Sequence, residues 1–396
     1  MEQRIRKLND APPRRGGKHV LYWMRWNRRA SANHALAFAN ETAKRLGLPL
    51  LVHETEDLGS ERQRQFARDA SVNNASAFRE ARIAYTFGAT PDLARAAAVV
   101  IDDWPESLEP MPAFDCEAYA VDSSCIVPSS VVPGRAFAAR SIRPKIHAAL
   151  PRFLTPAPSL VESGHPEAQR VLRRFLTERL HRYSTDKNEP SAHATSELSP
   201  YLHFGHISAL EVALAVRDYA AGHRLIADEF LEELIVRREL AFNFARNARR
   251  VDSLDELPDW ARATLNAHRN DARSPVYTPQ QFEDAATYDS LWNATQLELV
   301  RRGRIHGYYR MYWGKKILEW STSPEEALAT MIHLHDRYAL DARDPNTYTN
   351  ILWCFGLHDR PWPERPIYGT VRSMSRAGME RKTEVAAYIR EIEAIQ

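Results

Sequence analysis

Apolar residues follow two rhythms along this chain, and the change of rhythm divides it. From residue 19 the run HVLYWM is apolar nearly throughout, as a strand buried on both faces would be. Ser31 then offers an N-cap, ANHALAFANETAKRL carries apolar positions at helical spacing, and Gly47 stands where a left-handed residue closes a helix. LPLLV from Leu48 reads as the next strand. The alternation repeats, with a helix over 62–82, the strand IAYTFG, a helix over 91–97, and the strands AAVVIDD and EAYAVDSS. Strand, helix and strand within about 35 residues make a βαβ unit. Residues 17–150 are therefore expected to form a Rossmann-like α/β domain around a parallel sheet. No Gly-x-Gly-x-x-Gly follows the first strand, so a dinucleotide in the usual crevice of that sheet is not indicated.

The rhythm changes after PRFLTPAPSLVESGHP, whose four prolines predict an extended linker over 151–168. Beyond it, amphipathic segments at 167–183, 208–221, 226–246, 296–320 and 324–335 carry apolar residues at helical period, and little alternates at strand period. Residues 169–396 are expected to be an all-α domain.

Composition narrows the class only a little. A chain of 396 residues with 44% hydrophobic content can bury two cores. Cys116, Cys125 and Cys354 are too few and too scattered for a disulfide framework or a zinc site, and no metal is expected. They fit a reducing cytosol. No apolar run approaches the roughly 20 residues that span a bilayer, and the basic first residues lack the apolar core of a signal peptide. A net charge of +2 advertises no nucleic acid globally. Arginine supplies 45 of the 53 basic residues, which suits bidentate phosphate contacts and equally reflects a biased genome.

The stretch WNATQLELVRRGRIHGYYRMYWGKKILEW carries Trp292, Trp313 and Trp320. The last two are seven residues apart, close to two helical turns, so they share a helix face with about 10 Å of rise between them. Indoles at such separations can pass electrons in short hops, and tryptophans at this spacing are also ordinary core packing. Spacing alone does not choose. TSELSPYLHFGHIS places Thr195, Ser196 and Ser199 ahead of an apolar segment, where small hydroxyls and free N–H groups can cradle a diphosphate or simply cap a helix. Asp336, Asp341 and Asp344 in HDRYALDARDPN form an acidic group that would otherwise read as a solvated loop.

Taken in order, these segments, with AARSIRPKI, FLEELIVRREL, LNAHRNDARS and HDR, resemble the photolyase/cryptochrome superfamily, and within it the class II cyclobutane pyrimidine dimer photolyases. The resemblance runs from about Ala138 to Ile389. It implies an antenna-type α/β domain and a helical domain that binds FAD. It also implies light-dependent repair of dimer-containing DNA by electron transfer from photoexcited reduced FAD, in a carbon–carbon lyase acting as a monomer. By that likeness Trp313, Trp292 and Trp320 are the proximal, middle and exposed terminal members of an electron-transfer triad. Tyr183, Thr195, Ser196, Leu198 and Ser199 would hold the phosphates and ribityl chain, and Asp336, Asp341 and Asp344 would lie along the ring systems. Glu233 would hydrogen-bond the damaged bases, Met311 and Trp353 would wall the flipped dimer, and Lys187, Asn188, Arg360 and Arg372 would grip the DNA. Residues 359–382 hold six basic groups against three acidic ones, a locally positive stretch consistent with that role.

The pattern departs in three places. His335 stands where the class carries an asparagine beside flavin N5, so flavin chemistry is expected to respond to pH, since an ordinary imidazole titrates near about 6.5. FNFARN from Phe242 replaces the family's Asn-Phe-Cys-Phe-Tyr-Asn. RWNRR from Arg25 replaces Ser-Arg-Asp-Gln-Arg, which leaves the antenna open between a deazaflavin-type chromophore and none. A cryptochrome-like photoreceptor, or a photolyase-like flavoenzyme on another substrate, is the alternative.

Overall fold

The apolar segments His19–Met24 (β2) and Ala96–Asp102 (β5) pair in parallel at the centre of a six-stranded sheet. The computed structural model that shows this describes residues 1–56, 59–161 and 164–395. With Ile5–Lys7 (β1), Leu50–Thr55 (β3), Ala84–Gly88 (β4) and Glu117–Val121 (β6), the strand order is β1-β6-β5-β2-β3-β4. Every pairing is parallel except β1 with β6. That antiparallel edge was not part of the sequence expectation, because three residues of mixed character carry no period.

Burial follows position in the sheet. β5 is buried at all seven residues, whereas the edge strand β4 is buried at none, as expected when both faces are covered only at the centre. Side chains alternate between faces: Tyr22, Met24, Val52 and Val100 pack with Leu36 and Ala39 of His34–Leu46 (α1) and Phe78 of Glu61–Glu80 (α2). Leu21, Trp23, Val99 and Ile101 face the other way, against Cys116, Ala118 and Ala120.

Three local expectations are corrected. α1 is capped by Asn33, whose side chain accepts from the Leu36 N–H, and not by Ser31. The helix expected over 91–97 is a single 3₁₀ turn at Leu93–Arg95, because Ala96 already belongs to β5 and sheet pairing outweighs local propensity. The expected linker begins inside a helix, Ala139–Phe153 (α3), which continues through Pro151; Glu162 and Ser163 of that stretch lie outside the described residues.

The missing glycine fingerprint has a structural counterpart. At the carboxyl ends of β2 and β5, where an open α/β sheet would bind a phosphate, one oxygen of Asp102 accepts the consecutive N–H groups of Arg25, Trp26 and Asn27 at 2.8, 2.7 and 3.0 Å. Its other oxygen takes the Tyr22 hydroxyl at 2.8 Å. The chain's own carboxylate thus fills the anion nest.

By contacts the chain divides into two compact units, the first Met1–Ala136, Arg140–His181 and Ser196–Arg246, the second Phe137–Ala139, Arg182–Thr195 and Asn247–Gln396. The first holds the sheet together with Ala209–His223 (α4) and a run that is helical from Asp228 through Arg238–Asn247 (α5), with a π-turn at Glu232–Arg237. The second is built on Ser290–Arg302 (α6), Gly307–Trp320 (α7), Pro324–Tyr338 (α8) and Pro345–Trp353 (α9). The single segment expected over 296–320 is two helices, because Gly303 takes φ +70° and closes α6 in the left-handed conformation that glycine adopts without strain.

Candidate functional site

Trp292, Trp313 and Trp320 all lie in the second unit and are brought together. Trp292 lies on α6, and Trp313 and Trp320 on α7. The Trp292 and Trp320 rings meet with centroids 6.2 Å apart at 67°. Trp292 Nε1 donates to the Trp313 carbonyl at 3.0 Å, and Trp313 Nε1 donates to Gln296 Oε1 at 2.9 Å. Gln296 is one turn after Trp292, so a single helix face both presents one indole and fixes the orientation of the next.

Asp289 sets the start of α6: one carboxylate oxygen accepts the N–H groups of Leu291 and Trp292 and pairs with Arg376 at 2.7 Å, and the other takes the Tyr312 hydroxyl. Burial first, then Asp289, raises the Tyr312 pKa well above the ordinary tyrosine range. Neither Asp289 nor Gln296 was singled out from sequence. An aspartate directly before Ser-Leu-Trp is a legible N-cap, whereas the reach of Gln296 to the next helix is not.

One expectation is corrected. Trp320, expected at the exposed end of the series, is 1% exposed, as buried as Trp313 at 1% and Trp292 at 0%. Tyr277 and Tyr288 cover it, with ring centroids 5.6 and 5.3 Å away. A solvent-facing position cannot be read from helical spacing, because cover comes from a segment more than thirty residues upstream in sequence.

His335, Asp336, Asp341 and Asp344 occupy the end of α8 and the turn into α9. His335 is 2% exposed. Asp344 caps α9, accepting Asn346 N–H and Nδ2 at 2.9 and 2.8 Å, and the Asp341 carbonyl accepts from the Thr347 hydroxyl at 2.9 Å. Asp336 faces Tyr348, whose pKa burial first, then this charge, raises. Tyr183 is buried, with Lys187 Nζ 5.6 Å from its ring centroid; Thr195 is half-buried and Asn188 exposed.

Met311 and Trp353 are each half-buried. One turn after Met311, Gly314 approaches Cys354, next to Trp353, so closely that a Cβ there would stand 2.6 Å from Sγ. Lys315 is buried and donates to the Cys354 carbonyl at 2.6 Å; burial lowers its pKa to about 8. Arg360 and Arg372 share one indole: their guanidinium carbons lie 5.3 and 5.0 Å from the Trp362 centroid, and Trp362 Nε1 donates to Asp359. Neither guanidinium has a carboxylate partner among the described residues. Trp362 was missed from sequence, since a tryptophan between prolines reads as a turn.

In the first unit, Ser199 opens the short helix Ser199–His203, whose N-cap is the buried Leu198, and Ser196 Oγ accepts the Leu198 N–H at 3.4 Å. Glu233 is exposed and sits on the π-turn Glu232–Arg237. Such a turn inside a longer helix is itself a signal of function that residue types do not reveal.

By chemical type, the hydroxyls of Ser196 and Ser199 in the first unit suit phosphate oxygens; in the second, the Thr195 hydroxyl does so too, and the carboxylates of Asp336, Asp341 and Asp344 suit ring and amino N–H groups. A neutral His335 imidazole offers one N–H donor and one lone-pair acceptor on separate ring nitrogens, where an amide would offer an NH2 and a carbonyl oxygen on one carbon.

No family model matches the chain. It is 36% identical to the deoxyribodipyrimidine photo-lyase of Methanothermobacter thermautotrophicus, an alignment covering 99% of this chain and 98% of that one. It is 52% identical to the enzyme of the same name from Oryza sativa subsp. japonica, over 54% of this chain and 43% of that one. It is 48% identical to that of Arabidopsis thaliana, over 56% and 45%. The chain thus spans nearly the whole Methanothermobacter relative and under half of the other two. Among solved structures it is similar to a bacterial class III photolyase from Agrobacterium tumefaciens, with TM-score 0.69, 16% identity, and 97% and 88% of the two chains covered. It is also similar to a Synechocystis cryptochrome, with TM-score 0.66, 12% identity, and 98% and 100% covered. At those identities the likeness is one of fold.

Proposed function

This chain belongs to the photolyase/cryptochrome superfamily, and from that membership we propose that it repairs cyclobutane pyrimidine dimers in DNA as a class II deoxyribodipyrimidine photolyase. The observation that carries this reading is the buried series of three indoles, tied by the Trp292–Trp320 contact at 6.2 Å and the Trp292 to Trp313 hydrogen bond, in a chain aligned along 99% of its length with an enzyme of that name. In this reading residues 17–150 are the antenna-type domain, 151–168 the linker and 169–396 the catalytic domain, acting as a monomer.

When bound and reduced, FAD supplies the photoexcited electron that splits the dimer and recovers it afterwards. The protein's residues bind, orient and exclude water. In the first unit Ser196, Leu198 and Ser199 are proposed to meet the cofactor's phosphates and ribityl chain. In the second, Tyr183, Thr195, His335, Asp336, Asp341 and Asp344 are proposed to hold the rest. Glu233 offers a carboxyl to the damaged bases, where a hydrogen bond stabilises the negative charge that develops on the dimer. Met311 and Trp353 present apolar surface to a flipped dimer, and Lys187, Asn188, Arg360 and Arg372 take the DNA strand. Trp313, held by Gln296, is proposed as the first indole to give up an electron inward, followed by Trp292 and Trp320.

The test is direct. Purified protein carrying FAD, illuminated with near-ultraviolet or blue light under reducing conditions, should restore dimer-containing oligonucleotide. Glu233→Ala should lower the yield with FAD retained. Trp313→Phe should abolish photoreduction of oxidised FAD while chemically reduced protein still repairs. Unchanged dimers, or a protein that takes up no flavin, would overturn the proposal.

A further inference from the structure

Trp320 is 1% exposed, so a reductant in solution does not touch it and any electron that refills it must pass through the side chains that cover it. We propose that Tyr288 is the terminal relay of that series, the port through which a thiol reductant in solution restores the electron passed inward from Trp320. The inference rests on the electron-transfer reading of Trp313, Trp292 and Trp320.

The geometry is one of contact and exposure. The Tyr288 ring lies 5.3 Å from that of Trp320, closer than Trp292 at 6.2 Å. Yet Tyr288 is 67% exposed, among the most exposed large hydrophobic side chains of the described residues. A single side chain therefore touches both the buried indole and water.

The charges favour the same direction. Lys316 Nζ stands 5.3 Å from the Trp320 centroid, so a second positive charge on that indole is opposed. Glu319 pairs with that ammonium at 2.6 Å and moderates the effect without removing it. Tyr288 instead feels negative neighbours: partial burial first, then the charges of Glu319 and Asp289, raise its pKa. Electron loss is easier beside negative charge.

The other two phenols are less suited. Tyr277 is half-buried, and its hydroxyl oxygen accepts the Tyr288 N–H at 2.8 Å, which withdraws electron density and makes oxidation harder. Tyr312 is wholly buried and cannot meet a reductant.

The step balances. The oxidised Trp320 indole takes one electron from the Tyr288 phenol, whose proton leaves to water, giving neutral Trp320 and a tyrosyl radical. A thiol then gives that radical a hydrogen atom, restoring the phenol and leaving a thiyl radical in solution.

The experiment uses the flavin-loaded protein with dithiothreitol as reductant, read by electron paramagnetic resonance and by the rate of photoreduction. The wild-type protein should show a tyrosyl signal. Tyr288→Phe should replace it with a tryptophan signal and slow photoreduction about tenfold, equivalent to a barrier about 1.4 kcal/mol higher. Tyr288→Trp should recover most of the rate with a tryptophan signal, which a merely structural role would not do. Tyr277→Phe should keep the tyrosyl signal. An unchanged signal and rate in Tyr288→Phe, or loss of the signal in Tyr277→Phe alone, overturns the relay. Trp313→Phe separates the two levels: if it still photoreduces FAD, the triad reading itself fails, whatever Tyr288 does.

Discussion

Glu239 is wholly enclosed in the first unit, where one carboxylate oxygen accepts the N–H groups of Ile126 and Val127 at 2.7 and 2.9 Å. Burial first pushes its pKa up to about 8, with Asp122 adding and the Val127 N–H and Arg238 opposing. The native state therefore holds a proton that the unfolded chain releases near about 4.5, so the stability from this group is complete below that pH and is lost as pH rises through about 8. Urea denaturation between pH 4.5 and 8.5 should show that decline, and Glu239→Gln, whose amide oxygen can still accept both N–H groups, should flatten it. An equal slope in both proteins would refute the assignment. Glu239 lies six residues after Glu233 in the same FLEELIVRREL segment, yet one is enclosed and the other exposed. The resemblance points to Glu233, and residue type and spacing do not separate the enclosed Glu239 from the exposed Glu233, because burial is a property of what packs over each.

At the scale of elements, α7 and α9 approach at Gly314, where a Cβ would meet Cys354 Sγ at 2.6 Å and Met331 Sδ at 3.4 Å. Gly314→Ala should cost about 1–3 kcal/mol, the usual price of overpacking a core. In a Cys354→Ala background the clash is relieved, and the same change should be neutral or stabilising by up to about 1 kcal/mol, since alanine is the better helix former. Thermal or urea unfolding of the four proteins checks the change of sign, and additivity would show that the contact is not tight. Strands β2 to β6 and helices α1, α2, α4 and α8 are legible because each carries its own apolar run or period. The 3₁₀ turn at Leu93–Arg95, the edge strand β1 and the π-turn under Glu233 are not, because each is imposed by a neighbour rather than by local pattern.

At the scale of the molecule, a net charge of +2 supplies little general attraction to DNA, so phosphate binding must come from local groups. Arg360 and Arg372, which lie over Trp362 and have no carboxylate partner among the described residues, are proposed for it together with Lys187 and Asn188. Replacing either arginine by alanine should weaken binding to dimer-containing duplex and reduce the slope of log affinity against log salt by about 0.9. A slope unchanged in both variants, measured by titration from 50 to 200 mM salt, would remove these arginines from the interface. By itself the amino-acid order determined the βαβ alternation, the helical character of the second half and the motifs that mark the superfamily, since these are written in neighbouring residues. Only the tertiary structure decided that Asp102 fills the anion nest of the sheet, that Trp320 is roofed by Tyr288, and that two arginines share one indole. Each of those facts depends on side chains from separate segments meeting at a few ångströms, and such meetings are set by the packing of whole elements, which no local periodicity encodes.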